Sequence, residues 1–254
     1  MTWSIVARDP ETGHFGISVA SRFFAVGAAV PHIKGRVGAV ATQAFVSPLY
    51  GTDGLKLLEE GKSPQEIIEV LTARDDGRRQ RQFHLIDANG RNAAYTGEIC
   101  VDWAGHLVDD NVSVAGNMLA GPQVIAETLR VYKQKADEGA PLAERLLAAM
   151  DAGEAAGGDK RGKQSAAMVL YRDQDYPWLR INADDHADPL GELRRLYAVA
   201  QERFLHVAET MPTRENPHGM IDRRVIDQKI AELEAAREAE GRASASFATP
   251  WKPQ

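Results

Sequence analysis

The sequence predicts an α+β fold in which two antiparallel sheets lie face to face beneath outer helices, a four-layer α-β-β-α sandwich. Three observations predict it. Strand-like alternation comes in two blocks, over residues 4–41 and again over 81–115. Each block is followed by a pair of amphipathic helical segments. Further strands return after the second pair, so the regular strand–helix alternation that a doubly wound parallel sheet requires is absent. Each sheet can bury one face on the other, and the helix pairs cover the outer faces.

The elements come in this order. Residues 4–8 alternate, with Ile5 and Ala7 on one face and Ser4 and Val6 on the other; 15–20 alternate again, with Phe15, Ile17 and Val19 together. Asp9-Pro10-Glu11-Thr12-Gly13 between them carries turn chemistry, so the two form a hairpin. Segments 27–30 and 37–41 read as two more strands around a loop that holds Lys34 and Gly35. Leu55, Leu57 and Leu58 mark a helix near 52–60. The next begins cleanly, with Ser63 as cap, Pro64 in the first helical position and Glu66 closing a capping box. In the second block Asn89-Gly90 is a hairpin turn. Helical spacing resumes after Gly121-Pro122 and again after Pro141. A glycine-rich, charged loop spans 153–162 and leads to a buried strand at 165–171, beside which 179–182 can pair. Asp188-Pro189 opens a long helix whose Leu190, Leu193, Tyr197, Ala200 and Phe204 form one apolar stripe. The predicted organisation is a sandwich domain over 1–187 and a helical extension over 188–254.

Composition narrows the function. The chain has 254 residues, 44% of them hydrophobic, enough for a sizeable core. Its formal net charge of -6 and the lack of a basic, aromatic-rich cluster argue against a nucleic-acid partner. Cys100 is the single cysteine, which excludes an internal disulfide and a Cys-rich zinc site. The start lacks a basic segment followed by an apolar run, and no stretch has bilayer-spanning length, so a cytoplasmic protein with no membrane partner is expected.

Several stretches together are distinctive: Ser4-Ile5-Val6-Ala7-Arg8-Asp9, Val19-Ala20-Ser21-Arg22, Gly38-Ala39-Val40-Ala41-Thr42-Gln43, Gly116-Asn117, the run from Gly158 through Asp159, Lys160, Arg161, Gly162, Lys163, Gln164 and Ser165 to Ala166, and Asp184-Asp185-His186 with Pro189. Through them the segment from Met1 to about Leu196 resembles an uncharacterised bacterial family, domain of unknown function 1028, whose fold is similar to the N-terminal-nucleophile hydrolases. That resemblance implies a chemistry. A Thr, Ser or Cys exposed as the first residue attacks an amide carbonyl, with its own α-amine as base. Thr2 would be that residue once Met1 is removed. Arg22 and Lys34 are the cations the resemblance offers to lower the amine pKa, and Gly116 and Asn117 the donors for an oxyanion. Ser21 would bind substrate or orient the amine.

Other groups are weighed beside these. Arg161, Gln164 and Ser165 are polar groups near a cleft, and the loop that carries Arg161 lacks the spacing of a nucleotide phosphate-binding loop. His186 is taken as a binding residue; the spacing of Asp184, Asp185 and His186 fits neither a calcium loop nor a zinc helix, so no metal and no cofactor are expected. Two functions remain open: a hydrolase of a small amide or peptide, and a non-catalytic small-molecule-binding protein whose pocket holds Gln43, Asn117 and Arg161. A homo-oligomer, a dimer joined through the C-terminal helices, is expected from the apolar stripe.

Overall fold

The computed structural model describes residues 2–249; Met1, on whose removal the Thr2 reading depends, lies outside them. Contacts divide the chain into two units, Met1–Leu193 and Arg194–Gln254.

In the first unit, β1 (Thr2–Arg8) and β2 (Phe15–Ser21) form the predicted hairpin, paired antiparallel from Trp3 with Ala20 to Arg8 with Phe15. Asp9 holds the turn: its carbonyl accepts from the Gly13 N–H and its carboxylate from the Glu11 N–H. The predicted strand at 27–30 does not form. Val26–Ala29 is one helical turn, α1, and the strand β3 is Pro31–Lys34. Residues 26–30 are small and apolar on every side, and such a run has no period to separate helix from strand. The fourth strand, β4, runs Gly38–Ala44 and so takes in Gln43. Two helices come next, α2 (Pro48–Glu59) and α3 (Pro64–Ala73). The capping box of α3 is formed: the Ser63 hydroxyl accepts from the Glu66 N–H at 3.4 Å, and the Glu66 carboxylate accepts from the Ser63 N–H at 2.8 Å.

The second block gives β5 (Arg81–Asp87), β6 (Asn92–Thr96), β7 (Trp103–Asp109) and β8 (Val112–Leu119), then α4 (Gln123–Asp137) and α5 (Leu142–Ala155). The returning strands are β9 (Ser165–Tyr171) and β10 (Leu179–Ala183), and α6 is Pro189–Val199. Among the described residues ten strands make two sheets, ordered β10-β9-β2-β1-β8-β7 and β3-β4-β5-β6, with every pairing antiparallel.

The sheets face each other, β1 against β4 and β5 and β8 against β5. Helices α2 and α3 pack on the second sheet, where Tyr50, Ile67 and Leu71 meet Val40, Phe83 and Leu85. Helices α4 and α5 pack on each other and on β1, β2 and β8. Gly153 lets α5 come close: a β-carbon there would lie 2.3 Å from Thr128 Oγ1 and 2.9 Å from Trp3 Nε1. Because β1 is covered on both faces, all of it except Arg8 is buried.

The layer between the sheets has two halves. At one end Val6, Phe15, Ile17, Val19, Ile33 and Ile86 form an apolar cluster, each buried side chain of this size contributing about 1.5–3 kcal/mol. At the other end the same inward register places Thr2, Ser4, Gln43, Gln82, His84, Ser113 and Asn117, all buried and all polar. That end holds the candidate site.

The second unit contains a π-helical turn (Ala200–Phe204), α7 (Leu205–Ala208) and α8 (Arg223–Ala239). Within it the Glu202 carboxylate accepts from Ser244 Oγ at 2.6 Å and the Ala245 N–H at 2.7 Å. The apolar stripe ends at this turn: Tyr197 and Ala200 are buried, whereas Phe204 is 41% exposed. A π turn takes more residues than an α turn and rotates the downstream side chains off the stripe. No helix among the described residues is long and apolar enough to cross a membrane.

Candidate functional site

The polar end of the inter-sheet layer is a continuous hydrogen-bonded seam. Gln43 Nε2 donates to Gln82 Oε1 at 2.9 Å and to the Ala115 carbonyl at 3.1 Å, and lies 3.5 Å from the Thr2 carbonyl. Gln82 Nε2 faces Thr96 Oγ1 and the carbonyls of Gly105 and Gly116 at 2.8–3.1 Å. Asn117 Nδ2 donates to Gln82 Oε1 at 2.9 Å and to the Thr2 carbonyl at 3.3 Å. Backbone carbonyls can only accept, so they fix which end of each glutamine amide is nitrogen.

Those orientations determine the histidine tautomer. Gln43 Oε1 can only accept, so Ser4 Oγ donates to it, at 2.6 Å. The single Ser4 proton is thereby used, and Ser4 Oγ must accept from His84 Nε2, 2.8 Å away. His84 therefore carries its proton on Nε2, and Nδ1 accepts from Ser113 Oγ at 2.7 Å. Full burial lowers the His84 pKa to about 3, so the ring is neutral at ordinary pH.

Thr2 heads β1 at the edge of this seam. Asn117 is its register partner on β8 and, with Gln43, holds its carbonyl. Its Oγ1 lies 3.1 Å from Ser21 Oγ at the end of β2. Thr2 lines a pocket of about 80 Å³ with Gln43, Arg161, Phe23, Val26 and Val46 among its walls.

Arg161 reaches this pocket through a buried carboxylate. The Asp159 side chain, 2% exposed, accepts from the backbone N–H groups of Arg22 and Arg161, both at 2.8 Å, with the Arg161 guanidinium at 3.5 Å. The two arginines then bond each other's carbonyls, Arg22 Nη1 to Arg161 at 2.9 Å and Arg161 Nη2 to Arg22 at 3.2 Å. The glycine-rich loop makes this return possible, with φ of 49° at Gly158 and 105° at Gly162.

Three of the left-handed non-glycine residues stand at this end, while Arg36 and Asn111 take the same conformation in turns elsewhere. Ala25, Ala44 and Met118 have φ of 51°, 68° and 54°, a left-handed conformation that costs about 1–3 kcal/mol for a residue with a side chain. Ala25 precedes the pocket wall at Val26, and Ala44 lines the pocket. Ala44 also borders a second pocket of about 190 Å³, lined further by Phe45, Ile99, Cys100, Val101, Asn117 and Met118. Burial pushes the Cys100 thiol pKa up, and its Sγ contacts the Arg81 carbonyl at 3.5 Å.

The structure thus brings together Thr2, Ser21, Gln43, Asn117 and Arg161. Other candidates stand elsewhere. Lys34 ends β3 opposite Gly38, at the far end of β4 from Gln43, and pairs with Glu59 at 2.5 Å. The Arg22 side chain donates to the Arg161 carbonyl and is not among the residues lining the pocket. Asn117 commits both amide protons within the seam, and Gly116 lies against Trp3 and Leu119. Ser165 braces the pocket wall: its Oγ accepts from the Val26 N–H and donates to the Phe23 carbonyl. The Gln164 N–H donates to the Ser21 carbonyl, its side chain donates to Asp185, and its carbonyl accepts from the His186 N–H. The His186 ring accepts from the Asp188 N–H. Among the described residues no three His, Cys, Asp or Glu side chains group as metal ligands. Sequence reasoning missed Ser4, Gln82, Ser113 and Asp159. For Ser4, Gln82 and Ser113 the available signal was polar residues in the inward register of strands β1, β5 and β8.

Comparison with known proteins adds the lineage. A crystal structure of protein SPO2555 from Silicibacter pomeroyi, described as DUF1028, shares 31% identity over 87% of this chain and 96% of that one, with a TM-score of 0.80. Anbu, an ancestral β-subunit from Yersinia bercovieri, aligns over 83% of this chain and 98% of its own at 12% identity and a TM-score of 0.37, too weak a likeness to bear on the fold. No curated protein matches the chain. The family of unknown function DUF1028 matches residues 2–193, and the chain belongs to that family.

Proposed function

We propose that this chain is a hydrolase of small amides, an N-terminal-nucleophile-like four-layer α-β-β-α sandwich in which Thr2 attacks once Met1 is removed. The observation that carries the proposal is the setting of Thr2: it heads a central strand, its carbonyl is fixed by two side-chain amides, and it lines a pocket with a guanidinium. The freed α-amine takes the Thr2 hydroxyl proton as Oγ1 bonds to the amide carbon. The oxygen of the tetrahedral intermediate gains the negative charge, and Arg161 is the cation in the lining that steadies it. The amine leaves with the proton as the C–N bond breaks, and water then hydrolyses the Thr2 ester with the α-amine again as base. Ser21 orients the hydroxyl.

The test begins with the intact mass of protein expressed from its natural start. Loss of Met1 is expected, together with amine release from simple acyl amides. Thr2→Ala should abolish release while costing no more than about 1 kcal/mol of stability, the worth of one hydrogen bond. Full retention of Met1 in a preparation that still turns over would remove the mechanism. An Arg161-dependent thermal shift with small ligands but no amine release would favour the non-catalytic binding reading.

A further inference from the structure

We infer that the second pocket is a subsite for an uncharged aromatic or large aliphatic substituent of the amide, while the first takes a short one; this rests on the hydrolase reading of Thr2. The two pockets share Ala44 as a wall. Thr2 lines the first and Asn117 the second, and these two are register partners on adjacent strands, whose β-carbons stand about 5 Å apart. An amide at Thr2 thus has a cavity on either side of the bond to be broken.

Size and lining assign the occupants. A closed apolar cavity of about 150 Å³ is enough for benzene. The second pocket, about 190 Å³, passes that measure, and the first, about 80 Å³, does not. Its lining carries no formally charged side chain; Phe45, Ile99, Val101 and Met118 dominate it, with Gln80 as a polar edge. Phe45, Ile99 and Val101 are 66%, 47% and 58% exposed, an apolar group gathered around one opening, which marks a binding surface. The walls are also held in place. The Arg81 guanidinium stacks over the Phe45 ring at 5.1 Å while donating to the Phe45 carbonyl and pairing with Asp75. On the other wall the Val101 carbonyl accepts from the Met118 N–H at 3.2 Å. A rigid lining binds without first being ordered.

Cys100, the single cysteine of the chain, lines this pocket and reports occupancy without any turnover. Thr2→Ala protein is alkylated with iodoacetamide at one fixed pH above about 9, because burial raises the Cys100 thiol above an ordinary one, and the adduct is counted by mass. N-phenethylacetamide at ~10 times its Kd should slow the reaction about tenfold by mass action, whereas N-methylacetamide, which lacks the ring, should leave the rate unchanged. Ile99→Trp, which fills the pocket, should abolish the difference between the two amides. Equal rates with both amides in the Thr2→Ala protein would overturn the assignment. Selective protection without hydrolysis by the unsubstituted chain would keep the subsite and remove the hydrolase reading. Hydrolysis without protection would do the reverse.

Discussion

Exchanging His84 for glutamine separates the neutral, buried imidazole from every other acid-sensitive group in the chain. Folded, His84 accepts a second proton only near pH 3, because burial has lowered its pKa from the usual 6.5. Unfolded, it takes that proton already as the pH falls below about 6.5. Between these values the unfolded state binds more protons, so stability rises with pH. The contribution is whole above about pH 7, shrinks as acid is added, and is gone near pH 3. At about pH 7.5 the unfolded histidine is neutral, and about pH 4.5 lies two units below its pKa, which at 1.36 kcal/mol per unit makes the loss between them ~2.7 kcal/mol. Glutamine does not titrate, and its amide can place an N–H where Nε2–H meets Ser4. Urea unfolding of both proteins at the two pH values gives a double difference in which the shared carboxylates cancel, and ~2.7 kcal/mol is expected. An unchanged acid dependence in His84→Gln would refute the reasoning. The unsubstituted protein offers an independent check: ¹⁵N spectra should show an Nε2–H imidazole with no titration above about pH 4.

Two further substitutions probe the frame around the site. Asp159→Ala removes the acceptor shared by the Arg22 and Arg161 N–H groups; a loss of about 2–5 kcal/mol in chemical unfolding is expected, since two charge-assisted bonds go at once, together with weaker ligand response at Arg161. Ser63→Ala dismantles the capping box of α3, away from the pocket, and should lower stability by about 1 kcal/mol, or a few degrees in Tm by calorimetry, with amide hydrolysis unchanged.

The legible parts of this molecule were those written locally. The capping box at Ser63 and Glu66, the turn at Asn89-Gly90 and the alternation of 15–20 all depend on residues a few places apart. The short helix α1 was not legible, since Val26, Gly27, Ala28 and Ala29 suit either conformation. The site was half legible. The sequence names Thr2, Gln43, Asn117 and Arg161, which the structure brings together, and Lys34, which the structure places at the far end of β3, opposite Gly38. His84 lay on the correct face of β5, opposite Phe83 and Leu85, but that face meets a second sheet and not water. A polar residue in strict alternation reads the same in both surroundings, and only the partners Ser4 and Ser113, brought in from β1 and β8, tell them apart.

The two glutamines have a mechanical consequence. Their amides act as rungs between the sheets, Gln43 on the carbonyl of Ala115 and Gln82 on those of Gly105 and Gly116. Sliding one sheet by a single residue, about 3.3 Å, would break these rungs and also unseat the interlocked apolar side chains at the opposite end. Losing either glutamine would therefore cut the cross-sheet bonds beside Thr2 while leaving the apolar cluster beyond them its own contacts.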